Sequence, residues 1–347
     1  MIAQDIVRTR GFLKEQRIGL YARLRKIPCT DKRPARAGVI YETFGFSICA
    51  RRDGVGHKVL DGVSNPVQDT ASEFVVAPKS DTVSKEKRLH LALGVEYLGT
   101  HYHGWQVQPN VDSVQACLQD ALSRIANHPV EIVCAGRTDR GVHATMQVVH
   151  FDTSAERSDQ AWQRGVLSLL PHDIGVLWVR RMRADFHARF SAVRRSYRYV
   201  LYNAAHRPGL LHGRVSWYHL PLDALRMQQA ASHLLGEHDF SSFRGKDCQA
   251  HSPKRTLYEL NVQRDGDFIY FDLCANAFLM HMVRNIVGTL MQVGTGQRAP
   301  EWVAGVLAAR RREVAGVTAP PDGLYLTHVT YPDVYALPGS ARLPRFS

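Results

Sequence analysis

Along this chain the apolar positions fall into recognisable periods only from residue 89 onward. Leu89-His-Leu-Ala-Leu-Gly-Val-Glu-Tyr97 alternates with the period of a half-buried strand. A loop from Gly99 to Gln108, holding Trp105, follows it. Val114, Cys117, Leu118, Ala121, Leu122 and Ile125 then recur at helical spacing behind Asp112 or Ser113, either of which can cap a first turn. Val130-Glu-Ile-Val133 is a short apolar run of the kind that forms a buried strand, and Gln147-Val-Val-His-Phe151 alternates again. A helix over 158–170 and a strand over 175–179 complete the set. Strand, helix, strand, strand, helix, strand is the order of a ferredoxin-like unit.

A similar outline then repeats. Arg195-Ser-Tyr-Arg-Tyr-Val-Leu-Tyr202 opens it as a strand, with a helix over 222–235 and strands over 256–264 and 268–274. A long helix runs through Leu279, Val283, Ile286, Val287 and Leu290 with Asn276 as its expected cap. A short helix near Glu301 and a strand over 324–331 close the unit. The pattern predicts an α+β chain of two tandem ferredoxin-like (RRM-like) units, 88–190 and 191–347, each with an antiparallel sheet.

Residues 1–87 read differently. Periodicity is weak there, and turn formers cluster at Arg51-Arg-Asp-Gly-Val-Gly56 and Asp61-Gly-Val-Ser-Asn-Pro66. The segment is expected to be a poorly ordered extension or the product of a mis-assigned start, with translation beginning near Val83. A transit peptide fits less well, because Asp5 and Glu15 stand among its arginines. A basic arm that touches RNA is the other reading.

Composition narrows the function classes. The chain has 347 residues, of which 45% are hydrophobic, enough for a sizeable core and too many for global disorder. No apolar run is long enough to span a membrane. A formal charge of +12 points to a polyanionic partner, most simply nucleic acid. The cysteines at 29, 49, 117, 134, 248 and 274 have no paired C-x-x-C spacing and suit a reducing compartment. His101 and His103 lack the second ligand cluster that a metal site needs.

The densest chemistry lies in Cys134-Ala-Gly-Arg-Thr-Asp-Arg-Gly-Val-His143, between two predicted strands. Gly136 and Gly141 can bend the backbone around Arg137, Thr138, Asp139 and Arg140. A carboxylate beside guanidinium groups has Coulombic partners for its charged form, and such a group can serve as nucleophile toward a polyanion. The same residue types also make an ordinary solvated turn.

The spelling goes further than the chemistry. Ala135-Gly-Arg-Thr-Asp-Arg-Gly-Val-His-Ala144, followed by Gln147-Val148, closely resembles the signature of the TruA family of tRNA pseudouridine synthases. Three more stretches match that family in the same order. They are Asp185-Phe-His-Ala-Arg-Phe-Ser-Ala192 with Tyr197-Arg-Tyr199, then His281-Met-Val-Arg-Asn-Ile-Val-Gly288, and then Gly323-Leu-Tyr-Leu326. The likeness spans about Arg88 to Pro332. It implies the pseudouridine synthase fold, with an active-site cleft between the two units.

The resemblance also implies roles. Asp139 would be the catalytic nucleophile, and Arg137 would help displace a uridine from its stack. Tyr197 would stack on that base while its hydroxyl helps proton transfer. Arg284 would orient Asp139 with a bidentate fork, and Leu324 would form a wall of the pocket. Uridines 38, 39 and 40 of the tRNA anticodon stem-loop would be the substrate. No cofactor or metal is implied; a homodimer in the cytoplasm, with no membrane, is.

The residues by themselves allow plainer readings. Alternation puts Tyr197, Tyr199 and Leu201 on one strand face, where a tyrosine is most often a core aromatic. Arg284 lies about 115° from the centre of its helix's apolar stripe, a position that a snorkelling arginine also takes. His143 suits a core or hydrogen-bonding role. Arg244, Lys246, Lys254 and Arg255 suit phosphate contacts, as any charged loop would. Two departures from the family stand out: Tyr97-Leu-Gly99 replaces Tyr-Asp-Gly, and Met146 replaces a glycine. A non-catalytic RNA-binding protein is a rival reading. A nucleoside hydrolase is another, although it usually needs two carboxylates and this loop supplies one.

Overall fold

The computed structural model describes residues 88–346, so the expectations for residues 1–87 lie outside the described residues. The first half contains β1 (Leu89–Tyr97), α1 (Val114–Ala126), β2 (Val133–Cys134), β3 (His143–Thr153), α2 (Asp159–Leu167) and β4 (Ile174–Arg181). Both helices start where a hydroxyl can replace a missing backbone partner. Ser113 Oγ accepts the Ala116 N–H, and Ser158 Oγ accepts the Ala161 N–H. The apolar stripe of α1 is buried through Val114, Leu118, Ala121 and Leu122.

The second half contains β5 (Arg194–Asn203), β6 (Ser216–Tyr218), α3 (Ala224–Ser232), β7 (Gly236–Asp239), β8 (Lys254–Asp265) and β9 (Phe268–Ala275), then α4 (Met282–Gly294), α5 (Trp302–Ala309) and β10 (Leu324–Thr330). Strands β6 and β7 were not expected from the pattern, because at three and four residues they carry no readable period.

Two local expectations need correction. The apolar run at Val130 contributes only the two-residue β2, since the Val130 N–H is taken by Ser123 Oγ at 2.9 Å instead of by a ladder. Asn276 does not cap the long helix. Its Oδ1 accepts the N–H groups of Thr256 and Ala277, and α4 starts six residues later behind His281.

The sheets also differ from expectation. One sheet runs β4-β1-β3-β10-β5-β9-β8-β7, with β2 on β3 and β6 on β5. It is mostly antiparallel, but β10 runs parallel to β3, pairing Tyr325 with His143 and Leu326 with Ala144. On its other edge β10 is antiparallel to β5, pairing Leu324 with Tyr199 and Leu326 with Tyr197. The last strand of the chain therefore joins the halves, and the sheets that the pattern left separate are continuous.

Three consecutive residues of β10 show why this position is stable. Leu326, fully buried, joins the core under the first half. Leu324 joins the core under the second half, where β5 contributes Tyr199 and Leu201 as their alternation requires. Tyr325 points to the opposite face, among Val200, Tyr202, Phe268 and Tyr270. Shortening Leu326 to alanine opens a cavity at the junction of both halves. Leu326→Ala is expected to lose about 2–5 kcal/mol in urea unfolding, in one transition that involves both halves. Separate transitions, or a loss below about 0.5 kcal/mol, would contradict this account of the junction.

Candidate active site

Neutral groups hold much of the loop between β2 and β3. The Ala135 N–H donates to Val148 O at 2.8 Å. Buried Gln147 grips Gly136 twice: its Nε2 donates to Gly136 O at 2.6 Å, and its Oε1 accepts the Gly136 N–H at 3.3 Å. Thr138 is pinned by the Tyr97 hydroxyl, 2.8 Å from its Oγ1, and by the Trp105 N–H, 3.0 Å from its carbonyl. The Val142 N–H closes a turn on Asp139 O at 3.1 Å. Gly141 has φ of 78°, the left-handed conformation in which an L side chain is strained. Leaving any of these buried amides unpaired would cost about 1–3 kcal/mol, so together they set the direction of Asp139.

His143 closes the loop from below. Its Nδ1 accepts the Gly99 N–H at 2.8 Å and its Nε2 lies 3.0 Å from Asp322 O, which fixes the neutral tautomer with the proton on Nε2. Burial holds this imidazole down to about 4. The hydrogen-bonding role read from the sequence is the one it has.

Asp139 is paired across the sheet. Its Oδ2 lies 3.1 Å from Arg284 Nη1 and 3.4 Å from His281 Nε2. Arg137 and Arg140 are exposed, and among the described residues no ion pair links either to Asp139. Arg284 comes from α4, 145 positions along the chain, and its side chain is only 14% exposed. Its fork is split. Nε donates to Ala319 O at 2.8 Å, which leaves Nη1 for the carboxylate. The bidentate pair expected from the sequence is therefore a single contact, because the segment before β10 occupies the other half of the guanidinium.

These groups stand in a cleft of about 940 Å³. Arg137, Asp139, Tyr197 and Leu324 line it, and Arg284 lies behind the carboxylate. Tyr197 packs edge-on against Phe278, with ring centroids 4.9 Å apart. A Cβ on Gly136 would stand 3.7 Å from the Tyr197 hydroxyl, so that glycine leaves room beside it. Burial raises the Tyr197 phenol well above its usual value; the nearby Arg195 charge opposes the shift and Asp139 adds to it. The hydroxyl is thus protonated near neutral pH.

Sequence reasoning missed Arg195. Its Nη1 donates to Ala192 O and Asn276 O, both at 3.0 Å, and its Nη2 donates to Ala135 O at 3.2 Å and Arg189 O at 2.7 Å. One guanidinium therefore ties the root of the Asp139 loop to the end of β9 and to the loop before β5. The available signal was one arginine near the start of a strand that also carries Arg194 and Arg198, which looks the same as any strand-edge charge. Arg189 and His103 also line the cleft, whereas His101 is exposed.

The basic loop between β7 and β8 is partly committed to itself. Arg244 Nη2 donates to Cys248 O and to Ala250 O, the latter at 2.9 Å, and Arg255 Nη1 donates to Ser252 O at 2.9 Å. Arg255 lines the cleft while Lys246 and Lys254 are exposed. The two departures from the family lie outside the cleft lining. Leu98 donates its N–H to Asp173 O, and Met146 is buried with its Cε 2.9 Å from where a Cβ of Gly339 would sit.

Comparison with known proteins adds a second line. Residues 94–191 and 230–332 match a family model described as tRNA pseudouridine synthase. A Vibrio cholerae protein named tRNA pseudouridine synthase A is 55% identical over 250 residues, covering 72% of this chain and 95% of that one. A protein of the same name from Pectobacterium atrosepticum is 54% identical over 281 residues, 81% of this chain and 99% of that one. The corresponding protein of Coxiella burnetii is 51% identical over 248 residues, 72% and 95% of the two chains.

The buried histidines make the fold acid-sensitive. His150 Nδ1 accepts the Ala188 N–H at 3.1 Å, and burial, with help from His187 and His90, holds it down to about 4 as well. Between about 4 and 6.5 the unfolded chain binds protons that folded His143 and His150 refuse. Stability from these groups is thus complete above about 6.5 and is lost as the pH falls toward 4. Urea midpoints are expected to drop across that window. A His143→Gln, His150→Gln double variant should show a flatter curve, and an unchanged slope would refute the assignment.

Proposed function

Because the chain belongs to the TruA family of tRNA pseudouridine synthases, and so is an isomerase, we propose that it converts uridines 38, 39 and 40 of the tRNA anticodon stem-loop to pseudouridine, with Asp139 as nucleophile. The observation that carries the assignment of Asp139 is its ion pair with Arg284 at the edge of a cleft lined by Arg137 and Tyr197. The carboxylate lines the cleft, where a base that enters could meet it.

In this reading the target uridine leaves its stack and enters the cleft, with Arg137 taking the space or the phosphate it vacates. One oxygen of Asp139 attacks, at C1′ of the ribose or at the uracil ring, and the bond between C1′ and N1 breaks. The freed uracil turns and bonds to C1′ through C5. C5 then releases its proton, N1 holds one, and Asp139 returns as a free carboxylate, so substrate and product have the same atoms. Arg284 stabilises the carboxylate whenever it leaves. Tyr197 keeps its own proton, which suits a stacking surface and hydrogen-bond donor better than a base for the C5 proton. Leu324 supplies an apolar wall.

The strand orders β4-β1-β3 with β2, and β10-β5-β9-β8, support reading the two halves as ferredoxin-like units side by side, 88–190 and 191–347. A cytoplasmic homodimer that docks the tRNA with one protomer and modifies it with the other completes the proposal. No helix among the described residues is long and apolar enough to cross a membrane.

The test is tritium release from tRNA labelled at uridine C5. The wild type is expected to release tritium, and Asp139→Asn to bind tRNA with unchanged affinity and release none. Arg284→Ala should lower turnover by about 10²-fold. Wild-type protein that binds tRNA without releasing tritium would instead be an RNA-binding protein, and an active Asp139→Asn would remove the nucleophile assignment.

A further inference from the structure

His281 has three properties that a simple helix start does not require. Its backbone is left-handed, with φ of 61°, although it is neither glycine nor asparagine. It occupies the N-cap position of α4, yet its side chain makes no capping hydrogen bond. Its Nε2 stands 3.4 Å from Asp139 Oδ2, the oxygen that Arg284 also holds. A residue held in this conformation stores strain of the kind found where a side chain must be aimed.

The neighbouring loop is shaped around the ring. The Gly245 N–H donates to Met280 O at 2.8 Å, which brings that backbone against His281. A Cβ at Gly245 would stand 3.1 Å from His281 Nδ1 and 2.9 Å from Met280 Cε. Glycine thus leaves the imidazole its place. The ring itself is half-buried and lines the cleft.

Both side chains meet the same oxygen. Among the described residues Asp139 Oδ2 is ion-paired with Arg284 Nη1 and lies 3.4 Å from His281 Nε2. We infer that His281 is a positioning residue for the pseudouridine synthase reaction: with Arg284 it anchors Oδ2 of Asp139, so that Oδ1 is the oxygen presented to the uridine. This rests on Asp139 being the nucleophile. Arg284 alone, with its fork split toward Ala319 O, holds the carboxylate at one point and leaves it free to turn. The second contact, from His281, restrains that rotation, and its effect falls on attack and not on tRNA docking.

Two variants separate the imidazole from the backbone. His281→Gly accepts φ of 61° without strain but has no side chain. His281→Gln keeps the strain, while its amide N–H reaches about as far as the imidazole Nε2. In single-turnover and steady-state tritium release, His281→Gly is expected to lower kcat about tenfold, with KM for tRNA and the melting temperature within the range of wild type. His281→Gln should recover most of that loss. Wild-type kcat in His281→Gly would overturn the inference, as would a Gln variant that is less active than the Gly variant, since either assigns His281 a backbone role only. These outcomes leave Asp139 as nucleophile intact. Full activity of Asp139→Asn would overturn both.

Discussion

Parallel pairing of β10 with β3 and antiparallel pairing of the same strand with β5 decide where everything else can stand. Strand β3 begins at His143, directly after the Asp139 loop, and β5 carries Tyr197. With one strand between them, the loop and the tyrosine face a common cleft. The segment leading into β10 also reaches α4, where the Ala319 N–H donates to Arg284 O and Ala319 O accepts from Arg284 Nε. One strand and its lead-in thus hold the three parts of the site in register. The cost of losing its buried leucines falls on both cores at once, which couples the integrity of the cleft to the stability of the whole sheet.

The loop is rigid for a different reason. Gln147, Tyr97 and His143 hold it through uncharged hydrogen bonds in places where water is excluded. Arg195, which donates to Ala135 O, is the charged exception. Keeping His143 neutral serves the same end, at the price of acid sensitivity. Formal charge is kept for the rim and floor of the cleft, where Arg137 is exposed and Arg284 is sheltered behind the carboxylate it pairs with. An exposed arginine can meet a phosphate, while a sheltered one interacts with Asp139 through fewer intervening waters.

Arginine geometry explains much of the rest. Arg195 spends its donors on four carbonyls from three segments, and Arg284 divides its fork between a carbonyl and a carboxylate. On the far face of the sheet, Arg198 makes the bidentate pair that Arg284 does not, with both contacts to Asp272 at 2.7 Å. The same residue type therefore acts as a cross-brace, an orienting cation and a buried ion-pair partner. Of the three, Arg195 lines the cleft and Arg284 stands behind Asp139.

Much of this was legible in the chain. Alternation placed β1, β3 and β5, helical spacing placed α1 and α4, and Asp112 or Ser113 marked the start of α1, because each of these signals depends on neighbours within a few residues. The spelling around Asp139 identified the family for the same reason: a rigid loop needs particular residues at particular places. The start of α4 behind His281, the two-residue β2 and the short β6 and β7 were not legible, since no local period distinguishes them. Nor was the position of β10, because an amphipathic strand reads alike at an edge and in the middle of a sheet. By itself the sequence determined most of the longer elements, the Asp139 loop and the family. Tertiary structure decided that one continuous sheet joins the halves, that Asp139 pairs with Arg284 and His281 and not with its loop neighbours, and that Arg195 braces the loop. Those contacts join residues about 60 to 180 positions apart, and only packing of the two cores against a shared strand determines which of many available arginines and histidines arrive.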